Sequence, residues 1–326
     1  MRRYVVTGGA GFIGSHLCQA LLERGDAVVC VDDFSSGSLD NVADFARSGR
    51  FELVEGSTYE VLGSVGGTVD AVAHLASPAS PVDYLAHPLE TLAAGSSGTE
   101  AALRLAHAHG ARFLLSSTSE VYGDPLVHPQ QENYWGNVNP IGPRSVYDES
   151  KRFSEALTAA YRRTYGVDTG IVRIFNTYGP RLRPGDGRVV SNFIVQALSN
   201  EPITVYGDGS QTRSLCYIDD MVRALLAMLD SHAAGPVNLG NPTELRVAEL
   251  AKLVVSLTGS SSAVVYRELP QDDPVRRRPD ITLANKLLAW EPSVPIEVGL
   301  EKTATWFAKL LHRFPTTLRT LSPSAI

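Results

Sequence analysis

Cysteine is scarce, with three residues in 326 (Cys18, Cys30 and Cys216). Their number is odd, their spacing is wide, and no CxxC-type pair occurs. This excludes a disulfide framework and a thiolate metal centre, and leaves packed, reduced thiols as the expectation. Long apolar runs are missing too. No stretch approaches the roughly 18–20 residues a membrane span requires. No charged-then-apolar leader precedes the strand-like start Tyr4-Val5-Val6, so a soluble cytoplasmic protein is expected. Positive charge is not in excess: 29 Lys and Arg against 35 Asp and Glu give a net charge of −6. A global nucleic-acid footprint is thereby absent, although Arg276-Arg277-Arg278 forms a local basic run. Internal repeats and low-complexity segments are also lacking.

What is present reads as an enzyme-like α/β chain. Hydrophobic residues make up 44% and charged residues 20%, as in ordinary globular proteins. The length exceeds one compact core, which predicts a large domain with a smaller lobe. Apolar runs at 4–7, 27–32, 51–54, 71–75, 113–116 and 169–174 alternate with helical patterns at 13–23, 89–109 and 147–165. That alternation predicts βαβ units and a doubly wound parallel sheet of the Rossmann type. Beyond Asn176 the pattern loosens into a Pro/Gly loop, a helix near 190–198, a short segment at 203–207, a helix at 219–229 and a strand at 236–239. The expected division is 1–178, with 214–242 returning to it, then a lobe from 179–213 and 243–312. A tail at 313–326 completes the chain.

Thr7-Gly8-Gly9-Ala10-Gly11-Phe12-Ile13-Gly14 joins a predicted strand to a predicted helix. Gly8 and Gly11 permit a tight turn and close approach of a pyrophosphate. Gly14 permits close helix–sheet packing, and the first helical residues, Phe12 and Ile13, present N–H groups to phosphate. Asp32 ends the second strand, where a carboxylate accepts from a ribose 2′-hydroxyl and repels a 2′-phosphate, favouring NAD over NADP. Asp33 either shares that role or occupies a solvated turn.

Further on, Ser117-Thr118-Ser119-Glu120 precedes Tyr147-x-x-x-Lys151. Lysine four residues after tyrosine shares its helix face, and its charge favours a phenolate able to take a proton from an alcohol. Thr118 can hold that alcohol. Glu120 is not required for alcohol oxidation and suggests chemistry beyond it.

With these motifs in place, the chain resembles the extended short-chain dehydrogenases/reductases. Within them it is similar to the UDP-glucuronate decarboxylases. The resemblance runs from Tyr4 to about Phe307 and is most specific at 74–81, 117–124, 139–144, 147–151, 173–181, 186–192, 205–213, 238–242 and 276–280. It implies NAD as cofactor, a UDP-sugar substrate and no metal. It further implies a homodimer through a four-helix interface built from 89–109 and 147–165. Thr118, Ser119, Glu120, Tyr147, Lys151 and Arg277 are the implied catalytic residues. Arg277 is either a proton source or a holder of water at C5, and the bland reading of its run is a solvated surface. The implied substrate contacts are Asn176, Arg181, Asn192, Tyr206, Gln211 and Arg213, with Ser77 and Tyr84 as further candidates. For Tyr84 simple packing is an equal reading. Ser119 stands where related 4,6-dehydratases carry aspartate, a stronger acid, which disfavours dehydration.

Two positions depart from the family pattern. Ser57 replaces an acidic residue that meets adenine, and Gly95 replaces asparagine inside a helix, an expected cost of about 0.5–1 kcal/mol. The resemblance therefore implies conversion of UDP-glucuronate to UDP-xylose. Enzyme alternatives are a decarboxylase that releases the 4-keto pentose with NADH, and a uronate 4-epimerase. A nucleotide-sensing regulator is the non-enzyme alternative.

Overall fold

The computed structural model describes residues 1–268 and 276–313. Most of the tail expected at 313–326 lies outside the described residues. Six strands open the main sheet: β1 (Arg3–Thr7), β2 (Ala27–Asp32), β3 (Phe51–Glu55), β4 (Ala71–His74), β5 (Arg112–Thr118) and β6 (Thr169–Ile174). A seventh, Val237–Leu239, pairs parallel with β6. Across the sheet the order is Val237–Leu239, β6, β5, β4, β1, β2, β3, and every pairing is parallel. All residues of β4 and β5 are buried, as befits central strands covered by helices on both faces. The order reverses between β1 and β4, so the crevice beyond their carboxyl ends is where such a sheet takes a ligand.

The glycine turn feeds the helix Phe12–Glu23, whose Leu17, Cys18 and Leu21 pack with Tyr4 and Val6 of β1. The helix Ile218–Asp230 covers the same face through Met221, Leu225 and Met228. All three cysteines are buried. Cys18 and Cys30 lie beneath Gly9, where a β-carbon would stand 2.6 Å from the Cys30 sulfur. Burial pushes the Cys18 and Cys216 thiols up.

A separate apolar cluster organises the second lobe. The helices Val189–Leu198, Val247–Thr258 and Ile296–Arg313 meet around Phe193, Ile194, Leu250 and Phe307. Ile203–Tyr206 pairs parallel with Val264–Arg267, and Thr212–Ser214 antiparallel with Glu244–Arg246.

The helix expected over 89–109 is present but is not α-helical throughout. It runs as Pro88–Ala93, a π turn at Ala94–Gly98, and Thr99–His109. Gly95 sits in that turn, hard against the helix Ser145–Tyr165. A β-carbon there would stand 2.6 Å from Ser150 Cβ and 2.8 Å from the Ser150 carbonyl oxygen. The glycine is a requirement of close packing rather than a plain cost in helix stability. Ser154 Oγ seals the contact by donating to the Gly95 carbonyl at 2.7 Å.

Candidate active site

At the turn after β1, Gly8 adopts φ +67° and its N–H donates to the Val31 carbonyl at 2.8 Å. A β-carbon on Gly14 would stand 2.0 Å from the Gly8 carbonyl oxygen, so only glycine lets the helix close on the turn. Gly11 occupies the N-cap and offers no side-chain cap, leaving the first-turn N–H groups without an internal competitor. Asp32 accepts from the N–H groups of Ala10 and Phe34, each at 2.9 Å. Asp33 accepts from Ser35 N at 2.9 Å and from Ser35 Oγ at 2.6 Å, closing the next turn. A glycine cradle, an uncapped helix N-terminus and a carboxylate at the end of β2 suit the pyrophosphate and ribose of a dinucleotide. NAD fits this donor and acceptor set.

Thr118 ends β5, and its hydroxyl accepts from Glu120 N at 3.2 Å, which turns the chain toward the crevice. Tyr147 is buried and hydrogen-bonded to Thr118. Burial pushes the Tyr147 phenol well above its ordinary value, and the Thr118 bond only partly offsets it. Lys151 lies 5.9 Å from the Tyr147 ring centroid and donates to the Ser116 carbonyl at 2.9 Å. Burial lowers the Lys151 pKa to about 8. Burial is the larger influence on the phenol, and the Lys151 ammonium stands over its ring face. Tyr84 stacks on Tyr147, with ring centroids 5.3 Å apart and planes 3° from parallel. Its buried hydroxyl has no hydrogen-bond partner among the described residues.

Glu120 is clasped from both sides. Arg144 Nη2 donates to Oε2 at 2.9 Å, and Arg277 Nη1 donates to Oε1. Burial works against the carboxylate, but the two guanidiniums outweigh it and hold Glu120 well below the usual range. Within the basic run, Arg276 is exposed while Arg277 is buried. The late segment is anchored where Gln130 N donates to the Arg278 carbonyl at 2.9 Å and Asp280 N to the Gln130 carbonyl at 2.8 Å. The buried Asn238 side chain ties the same region together, donating to the Gln130 carbonyl and accepting from Tyr122.

Ser119 is buried beside Glu120. Asn176 follows β6. Asn192 donates to the Gly187 carbonyl at 2.9 Å, and Gln211 donates to the Tyr206 carbonyl. Arg213 Nη1 reaches the Thr212 carbonyl at 3.0 Å, and Ser77 Oγ the Pro78 carbonyl at 3.4 Å. Arg181 has a left-handed backbone (φ +65°). It donates to Gln19 at 2.5 Å and lies 5.7 Å from the Phe45 ring centroid, so it leans on the first helix. Every candidate residue named from the sequence lines a single cavity of about 1170 Å³.

Several residues of this cavity and its walls were not singled out from the sequence. Arg144 stood in a matched motif without a role. Arg188 also lines the cavity and pairs with Asp186 at 2.9 Å. Asp148 is buried behind Glu120, and burial, then the Glu120 charge, push it up to about 7. Like Arg144, Arg188 and Asp148 lie in matched stretches, 186–192 and 147–151, without a role assigned to either.

Residues 4–240 match the NAD dependent epimerase/dehydratase family. The chain belongs to that family. Members similar to it over most of its length include UDP-glucuronic acid decarboxylase 1 of Xenopus tropicalis. That relative is 50% identical over 311 residues, covering 95% of this chain and 73% of the relative. UDP-glucuronic acid decarboxylase 4 of Arabidopsis thaliana is 52% identical over 298 residues, covering 91% and 67% respectively. Among solved structures, UDP-glucose 4-epimerase of Thermotoga maritima superposes with a TM-score of 0.86 at 31% identity, covering 95% of this chain and 99% of that one. UDP-glucuronic acid 4-epimerase of Bacillus cereus, in complex with UDP-glucuronic acid and NAD, gives 0.83 at 28% identity, covering 94% and 99%. As a member of the NAD dependent epimerase/dehydratase family, the chain has NAD as its cofactor. Among the described residues no helix is long and apolar enough to cross a membrane.

Proposed function

We propose that this chain decarboxylates UDP-glucuronate to UDP-xylose, working in the cytoplasm as a homodimer. The observation that carries the reading is the Glu120–Arg277 pair. It sets a buried carboxylate–guanidinium pair, drawn from distant parts of the chain, two residues beyond the Thr118 hydroxyl that orients an alcohol. Relatives named UDP-glucuronic acid decarboxylase at about 50% identity support it. A C6 carboxylate does not leave a hexose unaided, because the electron pair left at C5 has nowhere to go. A ketone at C4 makes the sugar a β-keto acid, and the pair then enters the carbonyl as an enolate. Held by the glycine turn and Asp32, NAD would supply the acceptor and later the donor of the C4 hydride.

Thr118 holds the C4 hydroxyl and Tyr147 takes its proton. The protonated Lys151 beside the ring offsets part of the cost of the phenolate. Because burial raises the phenol's pKa, Tyr147 returns the proton readily when C4 is reduced again. Glu120 stays ionised between two arginines and has no proton to give. Arginine is a poor free acid, so the proton for C5 comes from a water held by Arg277 and Glu120, and the hydroxide left beside the guanidinium regains a proton from solvent. Ser119 is too weak an acid to expel a hydroxyl, which separates this site from a dehydratase. Asn176, Tyr206, Gln211 and Arg213 would hold the UDP end, Arg213 meeting the diphosphate.

Product analysis by mass spectrometry with UDP-glucuronate and NAD tests the reading. CO2 without net NADH supports it, CO2 with stoichiometric NADH points to release of the 4-keto pentose, and an isomeric uronate without CO2 points to a 4-epimerase. In Glu120→Ala, slow C4 oxidation without normal decarboxylation is expected. Unchanged UDP-xylose formation would refute the role of Glu120. The dimer would form through the helices of 88–109 and 145–165, which expose Leu89, Leu92 and Phe153, and light scattering in solution tests it.

A further inference from the structure

A reaction that oxidises and then re-reduces the same carbon has a vulnerable interval. After C4 has lost its hydride to NAD and its hydroxyl proton to Tyr147, the C5–C6 bond breaks, CO2 departs and C5 gains a proton. The site then holds a 4-keto pentose and NADH. If either escapes, the turnover ends as oxidative decarboxylation, in which NAD has become NADH. Something must keep both in place until the hydride returns.

Asp83 and Arg183 are suited to this. Arg183 Nη2 reaches both oxygens of Asp83 at 2.7 Å. Asp83 belongs to the segment between β4 and β5, and Arg183 follows β6 on the way to the lobe helix Val189–Leu198. Both line the cavity, and their side chains, 15% and 40% exposed, stand at its solvent edge. The pair therefore bridges the two sides of the cleft. Each end is held by its own segment. Asp83 N donates to Ser80 Oγ at 3.2 Å and Ser80 Oγ donates back to Asp83 Oδ2 at 2.8 Å, which caps the helix Pro81–Ala86. Arg183 leads into the Pro184–Asp186 turn, where Asp186 is pinned by Arg188. Bridging two prearranged ends costs less side-chain entropy than an ordinary surface pair. The next residue on the same helix, Tyr84, stacks on Tyr147, so the element that carries Asp83 also touches the catalytic tyrosine.

We propose that Asp83 and Arg183 form an electrostatic latch across the cleft that sets the partition between complete turnover and escape of the 4-keto pentose with NADH. The inference rests on the decarboxylase reading given above. Neither side chain takes part in the chemistry; both are positioning residues.

The test uses the whole protein with NAD and UDP-glucuronate, comparing wild type, Arg183→Met, Asp83→Asn and Arg183→Lys. The fraction of CO2-producing turnovers that end in free NADH should rise about three- to five-fold in Arg183→Met and Asp83→Asn, the size a partly exposed bidentate pair supports. Substrate consumption should stay near the wild-type rate, and Arg183→Lys should recover part of the loss. Leakage in wild type should also climb with salt, as screening shortens below about 8 Å, while Arg183→Met stays flat. An unchanged partition in Arg183→Met overturns the latch. If wild type yields no CO2 at all, the decarboxylase reading fails instead. The latch is then judged by NADH dissociation, followed by its fluorescence: a three- to five-fold faster release in Arg183→Met upholds it, and an equal rate overturns it.

Discussion

Gly95→Ala is the sharpest test of how the catalytic helix is seated. The added methyl would meet Ser150 Cβ at 2.6 Å and the Ser150 carbonyl oxygen at 2.8 Å. Alanine is the better helix former by about 1 kcal/mol, which favours the variant. Overpacking costs about 1–3 kcal/mol, and a clash with a backbone oxygen cannot be relieved by rotating a side chain. Displacement also weakens the bond from Ser154 Oγ to the Gly95 carbonyl, worth about 1 kcal/mol. The clash wins, leaving a net destabilisation of about 1–3 kcal/mol and a fall in Tm of about 1–4 °C. The helix that must move carries Tyr147 and Lys151, so kcat should drop at least about ten-fold, since a shift near 1 Å can cost about a hundred-fold. Thermal unfolding and turnover are measured for Gly95→Ala, Ser150→Gly and the pair. The double variant should fall between Gly95→Ala and wild type, because Ser150→Gly removes the Cβ but not the carbonyl. A Gly95→Ala protein as stable and active as wild type would refute the close helix approach.

Other outcomes follow from the charges. Asp148, pushed up to about 7, is neutral in both folded and unfolded states at low pH. The unfolded carboxyl ionises from about pH 4 upward while the folded one keeps its proton, so the penalty on folding grows up to about pH 7 and then levels off. Asp148→Asn should therefore gain on wild type by more than about 1 kcal/mol in urea unfolding between pH 5 and pH 8, and no pH-dependent gap would count against it. Lys151, lowered to about 8 by burial, loses its charge above that pH. kcat/KM should decline on the alkaline side, and a profile flat through pH 9.5 would oppose the role given to its ammonium. Glu120→Ala strips the buried Arg277 of its carboxylate, and breaking such a pair costs about 3 kcal/mol. Urea unfolding should register the loss, with Glu120→Gln milder. Asp32→Ala should weaken NAD binding at least about ten-fold by fluorescence titration, since the 2′-hydroxyl acceptor disappears.

The sheet was legible because its evidence is local. Runs such as Tyr4-Val5-Val6 and Phe113-Leu114-Leu115 are apolar throughout, and the glycine turn announces its own conformation. The strand 236–239 is expected to return to the main sheet, but its place beside β6 is set by pairing that only the structure carries. The π turn was not legible, because its cause is Ser150 on another helix rather than any residue of 94–98. The clasp on Glu120 was half legible: Arg277 came from a motif, while Arg144 needed the distance between two loops. Asp148 stood in the matched stretch 147–151 without a role, since an acidic residue on a polar helix looks solvated until its neighbours are known. The Arg183–Asp83 bridge joins residues a hundred positions apart, a relation one sequence does not carry.

The hidden thiols have a practical consequence. Cys18, Cys30 and Cys216 are all buried, and burial holds Cys18 and Cys216 in the unreactive protonated form, so labelling reagents should find the native chain nearly silent. A cysteine introduced on the Pro81–Ala86 helix and another on the lobe would be the only sites to take up dye. The opening of the cleft could then be watched by energy transfer, molecule by molecule, during turnover, without first removing a native sulfur.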